Sequence, residues 1–116
     1  MTYSGHPVAC AVALETLKIY EEERIVDHVR AVSPAFLSGL HALSSHPMVK
    51  EVRGIGLLAG VELQTGRGRE CARLAEEEGL IVRAIGDTIA FCPPLIISDA
   101  EVQALLQRFA RALDRL

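Results

Sequence analysis

The sequence predicts an α+β domain: a small, mostly antiparallel sheet of three to four strands with helices packed on one face, preceded by a long N-terminal helix. Three observations carry this reading. The chain has 116 residues, the size of one compact domain that can bury a core without staples. Half of its residues are hydrophobic but only 4% are aromatic, with no Trp, so the core must come from Ala, Val, Leu and Ile. The hydrophobic spacing changes from helical to alternating and back again along the chain.

Each element follows in order. Pro7 suits a first helical turn, where its fixed φ fits and its missing N–H is not needed. From Val8 to about Glu23 there is no Gly or Pro. Ala9, Ala13, Leu17 and Tyr20 form a strip there whose alanines permit close approach of a large neighbour. A second helix runs from Ile25 to about Leu43 on Val26, Val29, Val32, Phe36, Leu40 and Leu43. Pro34 should kink or split it near Arg30–Ser33.

Val49 and Val52 suggest a short strand, with Gly54-Ile55-Gly56 as a bend. Leu57, Ala59, Val61 and Leu63 then alternate as a half-buried strand. After a turn at Gly66–Gly68, Glu70–Glu78 reads as a short helix with Gly79 as its left-handed cap. Leu80–Ala84 and Thr88–Cys92 read as strands joined by a tight hairpin at Gly86-Asp87. Ser98 and Glu101 form a capping box for a last helix, striped by Val102, Leu105, Leu106, Phe109, Leu113 and Leu116. There is no internal repeat.

The net charge is −3 and the pI about 5.8, without the clustered cations that nucleic acid requires. The most apolar window, Ile89–Ile97, is broken by Pro93-Pro94 and is too short to span a bilayer. The N-terminus has no signal-peptide pattern. Cys10, Cys71 and Cys92 are an odd, scattered set that suits a reducing, cytoplasmic compartment. A mean hydropathy of +0.27 is high for a free-standing soluble domain and suggests that another chain or domain covers part of the surface.

Few residues carry chemistry on these grounds. Gly54-Ile55-Gly56-Leu57-Leu58-Ala59 fits a dinucleotide-binding pattern by its letters. Its mechanism needs a helix to start there, and the residues that follow alternate as a strand. The four histidines have no ligand spacing, so no metal is expected. His28 and His41 fall on the polar side of their helix, and His6 is structural or interfacial. Arg83 stands in an apolar strand, where it either finds an anion, which a guanidinium grips with two parallel bonds, or is a solvated edge residue paired, for instance, with Asp87. Thr2-Tyr3-Ser4-Gly5 leads into a helix N-terminus, where hydroxyls can join an anion site or simply cap.

Taken together, Thr2-Tyr3-Ser4-Gly5-His6-Pro7-Val8-Ala9-Cys10-Ala11, Val52–Leu63, Gly79–Arg83 and Asp87 through Pro93-Pro94-Leu95 occur in an order that resembles the C-terminal small domain of class III, pyridoxal-phosphate-dependent aminotransferases, on the omega-amino acid:pyruvate branch. The resemblance covers essentially the whole chain. It implies a small domain of the fold type I enzymes, spanning 1–116, that transfers an amino group from an amine or omega-amino acid to a keto acid such as pyruvate.

It further implies that Thr2 reaches the cofactor phosphate of the neighbouring subunit in a homodimer. Ser4 lies beside the cofactor, Tyr3 lies near the substrate entrance, and Arg83 is a mobile arginine pairing with a substrate carboxylate. Arg53 also matches a family position, with a structural role beside the glycine bend. The Schiff-base lysine and the large pyridoxal-phosphate-binding domain lie upstream in that family. Neither Lys18 nor Lys50 matches the catalytic position. The expectation is therefore a fragment with no catalytic residue of its own, inactive and unable to hold the cofactor alone. The alternative is a stand-alone binding or assembly module with an anion-binding edge at Arg83.

Overall fold

The computed structural model describes residues 4–64 and 66–116. Helix α1 (Pro7–Glu22) is followed by α2 (Ile25–Ala42) and a short 3-10 turn at Leu43–Ser45. Next come strands β1 (Val49–Ile55) and β2 (Leu58–Leu63), helix α3 (Gly68–Glu77), strands β3 (Arg83–Ile85) and β4 (Thr88–Phe91), and helix α4 (Asp99–Asp114). The four strands form one fully antiparallel sheet in the order β1-β2-β4-β3.

One sheet face is covered. Val49, Val52, Ala59, Val61, Leu63, Ile89 and Phe91 point into a core shared with Phe36 and Leu40 of α2, Cys71 and Leu74 of α3, and Val102, Phe109 and Leu113 of α4. The rings of Phe91 and Phe109 meet edge to face with centroids 4.8 Å apart, an arrangement the ring quadrupoles favour. Val49 and Val52 are three residues apart, yet both are buried, because the β1–β2 register slips between Val49 and Glu51. That irregularity gives a strand a spacing that would otherwise signal a helix.

Several local expectations need correction. Helix α2 runs unbroken through Pro34. The proline is exposed, while Val32, Phe36 and Leu40 on the opposite side are buried, so packing holds both halves in line despite the missing hydrogen bond. Val26, assigned to the buried stripe, is exposed. Leu57 lies in the turn between β1 and β2, though it is buried. Strand β3 begins only at Arg83, because Leu80 to Val82 have no strand partner to their side. Helix α3 begins two residues before Glu70, at Gly68.

His28 is not solvated: its Nε2 lies 2.8 Å from the carbonyl of Ile97 and ties α2 to the loop that enters α4. His41 is exposed, as is His6, which precedes α1 and makes no side-chain cap. The turn geometry matches the glycine assignments, with φ of +79° at Gly79 and +59° at Gly86. The capping box at Ser98 and Glu101 is complete.

Helix α1 stands apart from this core. None of its residues is buried, and Val8, Val12, Leu14 and Leu17 are all exposed. The alanine-lined face, Ala9, Ala13, Leu17 and Tyr20, is exposed along its length.

Candidate functional site

The sheet face turned away from the core brings side chains from all four strands together. Its register sets Arg53, Gly60, Ala90 and Arg83 side by side in one row across all four strands. The two small residues leave a shallow trough between two guanidinium groups. At the β1 end Arg53 is occupied: it donates to Glu62 at 2.9 Å and, more weakly, to Glu51 and Thr88. Lys50 also donates to Glu62, at 2.6 Å. These two donors, Lys50 first, hold the Glu62 carboxyl below the usual range, and the same contact raises the Lys50 ammonium. The network ties Arg53 to its neighbours on β1, β2 and β4.

Arg83 is placed differently. It is exposed, begins the edge strand, and pairs through its backbone with Ala90. No carboxylate or carbonyl among the described residues binds its guanidinium, and Asp87 does not pair with it. Around it lies a cavity of about 470 Å³ lined by Leu58, Ile81, Val82, Ile85, Ala90 and Cys92. Ile81, beside Arg83 in this lining, is 90% exposed. A permanently charged fork among apolar walls keeps five donors available for an incoming anion, and burying that anion against the walls would strengthen the pair.

Ser4 is exposed in the turn that enters α1, where Gly5 takes a φ of +80°. Thr2 and Tyr3 lie outside the described residues. Among the described residues no group of three His, Cys, Asp or Glu side chains could hold a metal ion.

Comparison with solved proteins places this architecture. An omega transaminase from Pseudomonas jessenii, whose crystal structure is a thermostable 6-fold mutant, superposes with a TM-score of 0.92 at 50% sequence identity, covering 99% of this chain and 28% of that one. An aminotransferase from Vibrio fluvialis in its PMP-bound form superposes equally well at 29% identity, over 99% and 28%. Among curated relatives, gamma aminobutyrate transaminase 3 of Solanum lycopersicum, a chloroplastic protein, is 44% identical over 97% of this chain. Gamma-aminobutyrate transaminase 1 of Oryza sativa subsp. indica, a mitochondrial one, is 42% identical over the same share. The chain spans about a quarter of the length of these relatives, 24% in both cases.

The antiparallel sheet with helices on one face thus has the fold of the corresponding part of these fold type I transaminases. More specifically, the match of residues 1–113 to the class-III aminotransferase model means that the chain belongs to that family, whose members use pyridoxal 5′-phosphate.

Both lysines of the chain are engaged by carboxylates. A Schiff base needs a neutral amine beside the aldehyde. Lys18 sits on exposed α1 between Glu15 and Glu22, at 3.8 and 3.9 Å. Lys50 is bound by Glu62 and held protonated. Neither lysine lines a cavity with Arg83. No step through the cofactor can be assigned to this chain.

One residue the sequence reading passed over is Gly68, read there as part of a turn. It is the first residue of α3 and is buried. A β-carbon on it would lie 2.1 Å from the carbonyl oxygen of Gly86 in the β3–β4 turn. Only the contact, and no pattern of letters, identifies it.

Proposed function

We propose that these 116 residues are the small domain of a pyridoxal-phosphate-dependent transaminase that moves an amino group from an amine or omega-amino acid to a keto acid such as pyruvate. The large cofactor-binding domain belongs to the rest of the same enzyme, and the unit at work is a homodimer. The observation that carries this reading is Arg83: a guanidinium with no carboxylate partner among the described residues, on an apolar cavity, in a chain of this family. Its role is to accept the substrate carboxylate through two parallel N–H···O bonds. An exposed position on an edge strand lets the long side chain swing aside when an apolar amine enters instead.

In the same reading Tyr3 lines the substrate entrance. Ser4 lies by the cofactor, and Thr2 reaches the cofactor phosphate of the neighbouring subunit. The fragment alone is inactive, since neither of its lysines is free to form a Schiff base. Three unpaired cysteines support a reducing, cytoplasmic setting for it. No helix among the described residues is long and apolar enough to cross a membrane.

The test is Arg83→Gln in the full-length protein, assayed with an omega-amino acid and with a simple aromatic amine lacking a carboxylate. Losing a charge-assisted bond pair should lower kcat/KM for the carboxylate substrate about 10- to 100-fold and leave the amine within about twofold. Equal loss for both substrates would remove Arg83 from carboxylate recognition.

A further inference from the structure

The position of Arg83 depends on how its hairpin is seated, and the contacts show what seats it. The Gly86-Asp87 turn is gripped from two sides. At the end of β2 the Leu63 N–H donates to the Asp87 carbonyl at 2.9 Å. On the other side the first turn of α3 meets the hairpin through Gly68, whose missing β-carbon would otherwise stand 2.1 Å from the Gly86 oxygen and 3.1 Å from the Asp87 Cα. The clash at 2.1 Å and the tight contact at 3.1 Å are both with backbone, which cannot rotate away as a side-chain tip can.

The two strands of the hairpin are not equally held. Strand β4 is paired on both edges, to β2 and to β3. Strand β3 is three residues long and paired on one edge only. A push on the turn therefore falls on β3, which starts with Arg83.

We infer that Gly68 is a positioning residue for Arg83: the space of its absent side chain seats the hairpin turn and so sets where the carboxylate-binding guanidinium stands. This rests on the reading of Arg83 proposed above. A β-carbon at Gly68 must displace the turn by more than about 1 Å to pass from 2.1 Å to ordinary contact, and a misplacement of about 1 Å is enough to cost catalysis up to about 100-fold.

The experiment uses the full-length enzyme with Gly68→Ala, Gly39→Ala, Gly86→Ala and Arg83→Gln, each assayed with an omega-amino acid and an aromatic amine. Gly39→Ala is the steric control. Its β-carbon also meets an atom at 2.1 Å, but that atom is the Leu106 Cδ1 on α4, away from the hairpin. Gly86→Ala disturbs the same turn without a clash, by forcing alanine to a φ of +59°. It serves where Gly68→Ala does not accumulate as folded protein.

The expected result is an about tenfold rise in KM for the omega-amino acid in Gly68→Ala and Gly86→Ala, with kcat for the aromatic amine unchanged. Gly39→Ala should lower thermal stability while keeping the wild-type ratio between substrates. Equal losses on both substrates in the hairpin variants, or the same change of ratio in Gly39→Ala, would overturn the inference. Should Arg83→Gln show selective loss while folded Gly68→Ala and Gly86→Ala do not, only the seating role falls. Should Arg83→Gln itself show none, the carboxylate reading falls and the seating role with it.

Discussion

Individual side chains here separate into those the fold has silenced and those it leaves available. Cys71 is fully buried in α3, and burial pushes its thiol up to about 11, so the thiolate that reacts is scarce at neutral pH. Cys10 and Cys92 are exposed. Iodoacetamide at pH 8 should therefore label Cys10 and Cys92 of the native chain and spare Cys71 until denaturant is added, as read by peptide mass mapping. Equal labelling of all three would mean that the α3 packing is wrong.

The carboxylates show a second effect. Glu78 is held below its usual range by hydrogen bonds from Arg111 and then Arg115, and Glu62 by Lys50 and Arg53. A carboxyl with a depressed folded value binds fewer protons folded than unfolded near its unfolded pKa of about 4.3. The stability it contributes is complete above that pH and is lost as pH falls through the lower folded value. Because the cations of these pairs stand in solvent and only the carboxylates are half-buried, the effect is small. Denaturant midpoints should fall between pH 6 and 3, and Glu78→Gln should make that fall shallower. An unchanged slope would show that the α3–α4 ion pairs do not couple to folding. At this same scale, Arg83 was legible in the sequence as a charge among alternating apolar residues. That no described residue pairs with it was not, because Asp87 is close in sequence yet makes no contact with its guanidinium.

Secondary elements were readable where one local cause determines them. Helix α4 has a complete cap: the Ser98 Oγ accepts from the Glu101 N–H, and the Glu101 carboxylate accepts from the Ser98 N–H at 2.8 Å. Ser98→Ala should cost about 1 kcal/mol, read from chemical denaturation, and no measurable loss would mean that packing alone holds α4. The hairpin was legible for the same kind of reason, since Gly86 supplies a positive φ that few other residues adopt. The reading failed where a distant partner decides the outcome. Pro34 marked a break from local rules, but the core beneath Val32, Phe36 and Leu40 overrides it. The extent of β3 depends on where β4 ends, and the burial of both Val49 and Val52 depends on a register slip that no single strand reveals. Gly68 belongs to this group as well, because the reason for a glycine there lies 18 residues further along the chain.

As a whole, the chain is more extended than its length requires. Its radius of gyration is 16.8 Å, where about 13 Å is usual for a domain of roughly this size, and the excess follows from α1. A helix that buries nothing lacks the packing that supplies most helical stability, and 16 residues are marginal without it. The high mean hydropathy anticipated an uncovered apolar surface, and Val8, Val12, Leu14 and Leu17 locate it. Its proposed cover is a region like the part of the longer relatives that this chain does not span. Hydrogen exchange of the isolated 116-residue chain tests this directly. Amides of α1 should exchange at nearly unfolded rates, while those of α2, β2 and α4 should show protection approaching that of global unfolding. In the full-length protein α1 should join the protected class, and Leu17→Asp should return it to fast exchange. Protection of α1 in the dilute, monomeric isolated chain would mean that the helix folds back onto its own domain, and the need for a covering domain would disappear.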